Sequence, residues 1–288
     1  MSLVQEVPMQ VPWRDRRGRL VKLKALVFPL LFVPGLLTAA WWASGMLGGR
    51  PITEAIHETG LWAIRFLLIS LAITPAARLL NWPQILLVRR MVGLTALAYG
   101  VAHLLLYVVD QKFALLTVVS EIALRFYLTI GFVALLGLAA LGITSTDRAL
   151  QRMGRNWKRL HRLAYPIAIL AALHYFIQSK ANVSEPVFVT GLFVWLMLWR
   201  ALPQAWQRHW ATPPMLAIAA GLATAGIEFA WYGIATRIDP WRVLAASETL
   251  RYGLRPAHYI ALCGLGVGLL VVARKAAPLL PRLRTRGA

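Results

Sequence analysis

NWKRLHRLAYPIAILAALHYF, residues 156–176, leaves a basic cluster, turns apolar, and keeps a histidine near each end, His161 and His174. Such a run reads as a membrane helix only if the surrounding chain has membrane character, and it does. Of 288 residues, 59% are hydrophobic and 15% charged, and the mean hydropathy of +0.61 is well above that of soluble domains. The formal net charge of +20 would suit a nucleic-acid binder. The charges, however, lie in short clusters between long apolar runs, not along one helix face or in a tail, which excludes nucleic acid as the partner. The single cysteine, Cys263, sits in an apolar run and excludes both a disulfide framework and a thiolate metal cluster.

Outward from the quoted stretch, apolar spans read at 25–44, 61–80, 88–109, 122–142, 160–178, 185–201, 214–235 and 256–273. Several approach the roughly 20 residues that cross the hydrocarbon core. Within a bilayer the backbone must satisfy its own hydrogen bonds, so the predicted fold is all-α, a polytopic transmembrane helical bundle. Turn signals such as GGRP, NWP, SEP and TPP punctuate the boundaries. Lys and Arg in the short loops set the orientation. Arg14, Arg16, Arg17, Arg19, Lys22 and Lys24 precede the first span; Arg148, Arg152, Arg155, Lys158 and Arg159 lie between the fourth and fifth; Arg274, Lys275, Arg282, Arg284 and Arg286 follow the eighth. Eight spans put all three clusters on one face. The expectation is therefore a bacterial inner-membrane protein with a cytoplasmic N-terminus, embedded in lipid and without a signal peptide. The loop carrying Arg237, Arg242, Arg251 and Arg255 runs against that pattern.

Topology converts sequence numbers into depths. In this layout the third and fifth spans run the same way, with His103 about fifteen residues into one and His174 about fourteen into the other. Two imidazoles at matched depth in a bundle suit axial ligation of a b-type haem iron. The competing reading is packed, hydrogen-bonded histidines or a proton relay. Read along one continuous helix, His161 lies roughly 20 Å from His174 and on another face, so the two cannot share an iron. Its neighbours in WKR equally suit an interfacial residue.

Arg65, about four residues into the second span, needs an anionic partner such as a haem propionate, or a route to the lipid headgroups. Arg89 and Arg90 open the third span as positive-inside anchors that could also meet a flavin phosphate or a propionate. His57 reads as a residue of the first outer loop. Glu228, a carboxylate inside the seventh span, is read as a proton-handling group or an arginine partner. His209 and His258 receive no role.

No GxGxxG fingerprint, Walker loop, HExxH or nucleophile elbow occurs, so electrons would have to come from a separate reductase or from quinol. The rival class is a proton-coupled small-solute transporter with Arg65, Glu228 and the histidines as its relay. It lacks the expected internal repeat and mid-span Gly/Pro breaks.

HETGLWAIRFLLISLAITPAAR (57–78), RRMVGLTALAYGVAHLLLY (89–107), RFYLTIGFVALLGLAALGITST (125–146) and WKRLHRLAYPIAILAALHYF (157–176) together resemble the MsrQ family, formerly YedZ. These are the haem-binding membrane subunits of the periplasmic protein-methionine-sulfoxide reductase system, within the ferric-reductase-like transmembrane group. The resemblance covers roughly 20–202. It divides the chain into a basic segment 1–24, a six-helix haem-binding domain 25–202, and an extension 203–288 with two spans and a basic tail. It implies one or two b-type haems, with FMN as a further candidate cofactor, and electron delivery to a periplasmic molybdopterin reductase that repairs oxidised proteins. The quinone pool or a cytoplasmic flavin reductase would be the donor. His103, His161 and His174 match the family's haem-linked histidines. The wider group pairs two histidines on each of two helices, but no histidine near the start of the third span faces His161. That leaves His161 either a haem ligand without a histidine partner or part of a flavin or quinone site. No substrate chemistry by this chain itself is expected.

Overall fold

A computed structural model describes residues 11–14, 18–180, 182–249 and 253–276. Arg16, Arg17, Arg251 and the basic tail with Arg282, Arg284 and Arg286 lie outside the described residues. Among those described, the chain is helical without strands, as the sequence predicts. The helices are α1 Lys22–Leu30, α2 Val33–Ala43, α3 Pro51–Leu79, α4 Arg89–Asp110, α5 Leu115–Leu124, α6 Phe126–Ile143, α7 Asp147–Met153, α8 Arg155–His161, α9 Ala164–Gln178, α10 Ser184–Ala201, α11 Thr212–Ala235, α12 Pro240–Glu248 and α13 Pro256–Ala276. Proline opens α3, α12 and α13, where its missing N–H costs nothing. Thr146 caps α7 by accepting from the Ala149 N–H, and Asp239 caps α12 by accepting from the Trp241 N–H.

Among the described residues, seven helical stretches are long and apolar enough to cross a membrane: 22–43, 51–79, 83–110, 126–143, 155–178, 212–235 and 256–276. The predicted sixth span is present as α10. Glu185 near its start and Arg200 near its end leave it less apolar than the seven.

Three expected boundaries move. The run 160–178 is not one continuous helix: α8 and α9 meet at a turn over Arg162 and Leu163. Pro166 has no N–H to offer the Arg162 carbonyl, which accepts from Tyr165 instead in a tighter three-residue turn. The rotation expected between His161 and His174 along a single helix therefore does not apply. The run 122–142 is interrupted at Arg125, whose extended backbone separates α5 from α6. Finally, α3 begins ten residues before the apolar run, at Pro51. Its 29 residues make it about 43 Å long, well beyond a hydrocarbon core of about 30 Å. His57 is thus helical rather than in a loop. It is 66% exposed and 3.8 Å from Glu54, so it is a solvated residue of the helix's polar first turns.

Contacts group the described chain into two compact units, one from residues up to Ile73 with Gln84–Ala171, the other from Thr74–Pro83 with Ala172 onward. In the first, α6 packs on α4 and α5. In the second, α11 packs on α10 and α13 around Ala217, Ala220 and Ile260. Small residues let these helices approach closely: a Cβ at Gly264 would collide with Ala217. Close backbone approach of this kind is how membrane helices associate where lipid removes the hydrophobic drive. These are units of packing, whereas the stretches 25–202 and 203–288 mark extent of resemblance.

Candidate haem-ligand site

The first unit anchors one stripe of α4. Tyr99, His103 and Tyr107 recur at intervals of four and so share a face, and each is held by a partner on another helix or turn. The Tyr99 hydroxyl donates to the Leu31 carbonyl at 3.1 Å and accepts from the Gly35 N–H at 2.7 Å. The Tyr107 hydroxyl donates to Glu121 Oε2 at 2.6 Å, and Arg125 donates to the other oxygen of that carboxylate, also at 2.6 Å. Between them, His103 Nδ1 lies 2.8 Å from the carbonyl oxygen of Ile56 on α3.

That contact fixes the chemistry of the ring. A carbonyl oxygen only accepts, so Nδ1 carries the proton and Nε2 carries the lone pair, the tautomer a metal-ligating histidine needs. The contact exists because residue 60 is glycine. A Cβ there would lie 2.8 Å from His103 Nδ1 and 3.0 Å from Cε1, closer than such atoms approach. Gly60→Ala should therefore push the ring off its carbonyl. The expected result is retained fold with a broadened haem spectrum and a shifted midpoint potential, read by redox titration; an unchanged potential would mean that the Ile56 bond does not position the ligand.

His103 lies seven residues before the end of α4 at Asp110, roughly 10 Å along the axis. His174 lies four residues before the end of α9 at Gln178, roughly 6 Å along its axis. Two residues on, the buried Phe176 packs in the second unit with Val183, Val187 and Tyr232. Arg65 lies one turn past the level of His103: its guanidinium stacks 5.1 Å over the Trp62 ring, and its neighbour Phe66 packs on Tyr99 at 5.2 Å.

The other end of α4 carries a second cluster. Arg90 pairs with Asp147 at 2.8 Å, an exposed contact worth little in stability. His161 stacks on Trp157 with centroids 3.8 Å apart and 24° between planes, and Trp157 donates from its indole N–H to the Thr144 carbonyl at 2.8 Å. His161 Nε2 lies 3.3 Å from the Thr144 hydroxyl, which donates to the Ala140 carbonyl at 2.7 Å. A hydroxyl can donate or accept, so this contact suits either tautomer of His161. Arg89 and Arg90 are near enough to act on His161 electrostatically. The structure thus gathers three of the predicted residues, His161, Arg89 and Arg90, at one end of α4 and leaves His103 and Arg65 toward the other.

Among the described residues, no group of three or more His, Cys, Asp or Glu side chains is gathered as for a bare metal ion. A histidine held through Nδ1 on a carbonyl would instead suit holding a haem iron through Nε2. By this test His103 fits as a ligand. His161, with Nε2 turned to a hydroxyl and its face against an indole, fits a stacking or hydrogen-bonding position better. Tyr99, Tyr107, Gly60 and Thr144 were not singled out from the sequence. The interval of four in YGVAHLLLY, residues 99–107, was the available signal for the two tyrosines.

Comparison with known proteins gives a consistent pattern. Residues 59–172 match the family model described as the ferric reductase like transmembrane component. The chain is 44% identical over 163 residues to the protein-methionine-sulfoxide reductase heme-binding subunit MsrQ of Xanthomonas oryzae pv. oryzae, covering 56% of this chain and 75% of that one. It is 40% identical over 203 residues to the protein of that name from Rhodospirillum rubrum, covering 70% and 95%. With that of Caulobacter vibrioides the identity is 42% over 192 residues, covering 64% and 91%. No solved structure matches.

Proposed function

Because the chain belongs to the MsrQ family of heme-binding subunits, we propose that it is a b-type haem subunit carrying electrons across the bacterial inner membrane. The acceptor in this reading is a periplasmic molybdopterin methionine-sulfoxide reductase that repairs oxidised proteins. The observation that carries the reading is the His103 ring, held through Nδ1 on the Ile56 carbonyl with the space for it left by Gly60. Bound haem would supply a one-electron couple whose potential depends on its ligands and their surroundings. The chain's own residues hold, orient and tune it.

His103 and His174 are proposed as the residues that would hold the haem iron, a pairing that rests on their matched depth in the sequence. Tyr99 and Tyr107 keep α4 from turning about its axis and so keep the imidazole aimed. Arg65, stacked on Trp62, is proposed as the cation for a propionate. His161, Arg89 and Arg90 are proposed as the donor end of the path. There an imidazole, an indole plane and two guanidinium groups suit a flavin phosphate or a quinone, and the donor in this reading is the quinone pool or a cytoplasmic flavin reductase. FMN belongs to this end if it binds. The basic residues of the N-terminal segment support a cytoplasmic position for this end.

A dithionite-reduced minus oxidised spectrum with pyridine-haemochrome quantitation tests the class. A sharp low-spin b-type signal is expected; a folded but colourless protein from haem-replete cells would hand the assignment to the transporter. A finer test separates the two ends. His161→Ala should keep the low-spin signal while slowing reduction from the donor side about tenfold or more, measured by stopped flow. Loss of all haem in that variant would make His161 a ligand.

A further inference from the structure

Within the second unit, the ends of α3, α10 and α13 and the start of α11 meet around Leu79, Trp199 and Val271, with Leu216 packed against them. The stretches that meet, 74–83, 199–216 and 267–276, carry Arg78, Arg200, Arg208, Arg274 and Lys275, and contain neither aspartate nor glutamate. Cations at helix ends serve as general positive-inside anchors when their side chains are loose. Three of these are instead held in place by neutral partners.

The Arg78 side chain reaches the far end of the unit's sequence. Its Nη1 donates to Gln207 Oε1, and its guanidinium lies 5.7 Å over the Trp199 ring. Gln207 is itself fixed: it is 6% exposed, its amide donates to the Leu202 carbonyl at 2.9 Å, and its backbone carbonyl accepts from the Trp199 indole at 3.3 Å. An amide and an indole face orient the guanidinium without neutralising it.

The end of α3 supplies the next contact. Asn81 takes a left-handed backbone, φ 47°, which asparagine tolerates better than most residues. The chain therefore turns back, and the Trp82 N–H bonds the Ala77 carbonyl at 2.9 Å. Trp82 meets the end of α13 there, with the Arg274 guanidinium 5.5 Å over its ring. The neighbouring Lys275 Nζ lies 3.5 Å from the Arg208 carbonyl. Since Arg208 follows Gln207, the contacts form a rim that runs from Arg78 through Gln207, Arg208, Lys275 and Arg274 to Trp82.

We propose that this rim binds anionic phospholipid headgroups of the adjoining leaflet, with Arg78, Arg274 and Lys275 meeting the phosphate diesters. Charge and position select that ligand. The cations lack carboxylate partners within these stretches, and three stretches apolar enough to cross a membrane begin or end here. Trp206 and Trp210, 54% and 49% exposed on the connecting segment, are the residue type that settles at headgroup level. Basic clusters between helix ends are a known form of headgroup site, and side chains already held lose less freedom on binding. Gln207, Arg208, Arg274 and Lys275 all come from the extension beyond residue 202, whose role is then to complete a lipid-holding rim on the end of α3. The site is independent of the haem assignment.

Native mass spectrometry of the purified full-length protein tests it, by titration with phosphatidylglycerol and with phosphatidylcholine of the same acyl chains. Phosphatidylglycerol should bind about tenfold more tightly, and excess ammonium phosphate should not displace it. Arg274→Gln with Lys275→Gln should remove most of that preference and leave thermal unfolding in detergent unchanged, because both side chains are exposed. Arg152→Gln with Arg155→Gln takes the same two charges from exposed positions between α7 and α8 and should leave the preference intact. Equal affinity for the two lipids would overturn the site and turn the search to an acidic protein. Displacement by phosphate would make it a free-anion site, and equal losses in the two double variants would reduce it to an effect of net charge; either overturns the proposal. Should the Arg274, Lys275 variant fail to fold, the wild-type lipid and phosphate titrations decide alone.

Discussion

His103→Ala should purify as a folded membrane protein without the low-spin b-type signal. If His103 holds the haem iron as proposed, an alanine there would remove that bond altogether, whereas the helix around it stays tied. Tyr99 still bonds the Leu31 carbonyl and the Gly35 N–H, and Tyr107 still bonds Glu121. The loss should therefore appear in haem content and spectrum rather than in helicity, and imidazole added to the variant should partly restore the low-spin band. His174→Ala should show the same loss if the two are the axial pair. A variant that keeps the wild-type spectrum would remove that histidine from the ligand set. If His103→Ala alone loses the signal, His103 remains a ligand and its partner must be sought elsewhere.

The helical class was legible because apolar length predicts helices in a membrane, and His103 was singled out by counting residues into the apolar runs. The interval of four in YGVAHLLLY, which sets it on one face with Tyr99 and Tyr107, was a local signal left unused. The boundaries that moved were those where composition and backbone chemistry disagree. ITEAIHET, residues 52–59, is too polar to read as membrane, yet Pro51 starts a helix there and α3 runs through it. Pro166 lies inside the quoted apolar run, and reading the run by hydropathy alone passed over the tighter turn it brings, in which the Arg162 carbonyl accepts from Tyr165. The pairings across the fold carried no sequence signal. His103 with the Ile56 carbonyl joins two helices, and His161 with the Thr144 hydroxyl joins α8 to the turn after α6. The first also depends on an atom, the Gly60 Cβ, that is missing from the sequence's list of side chains. Glu228 and an arginine partner were foreseen as alternatives for that carboxylate, but nothing in the 27 positions separating it from Arg255 indicated which arginine.

Arg255→Leu should destabilise the protein far more than removal of a typical surface charge. Glu228 is 1% exposed on α11, so the variant strands a carboxylate in an apolar helical unit with its Arg255 counter-charge gone. Breaking a buried pair in this way costs about 3–5 kcal/mol. Arg255 is 23% exposed in its side chain, and the stranded carboxylate can take up a proton, so the lower end, about 3 kcal/mol, is the expected value. For a chain of this size that is a fall of roughly 6–12 °C in Tm, measured by thermal unfolding in detergent. The double variant Glu228→Leu, Arg255→Leu separates charge from packing. Removing both partners leaves no stranded charge, and replacing a buried pair by apolar side chains is often neutral or stabilising. The double variant should therefore recover most of the lost stability. If it is as unstable as Arg255→Leu alone, the arginine acts through its packing rather than its charge. If Arg255→Leu unfolds at the wild-type temperature, the ion pair contributes nothing to holding the C-terminal helices together.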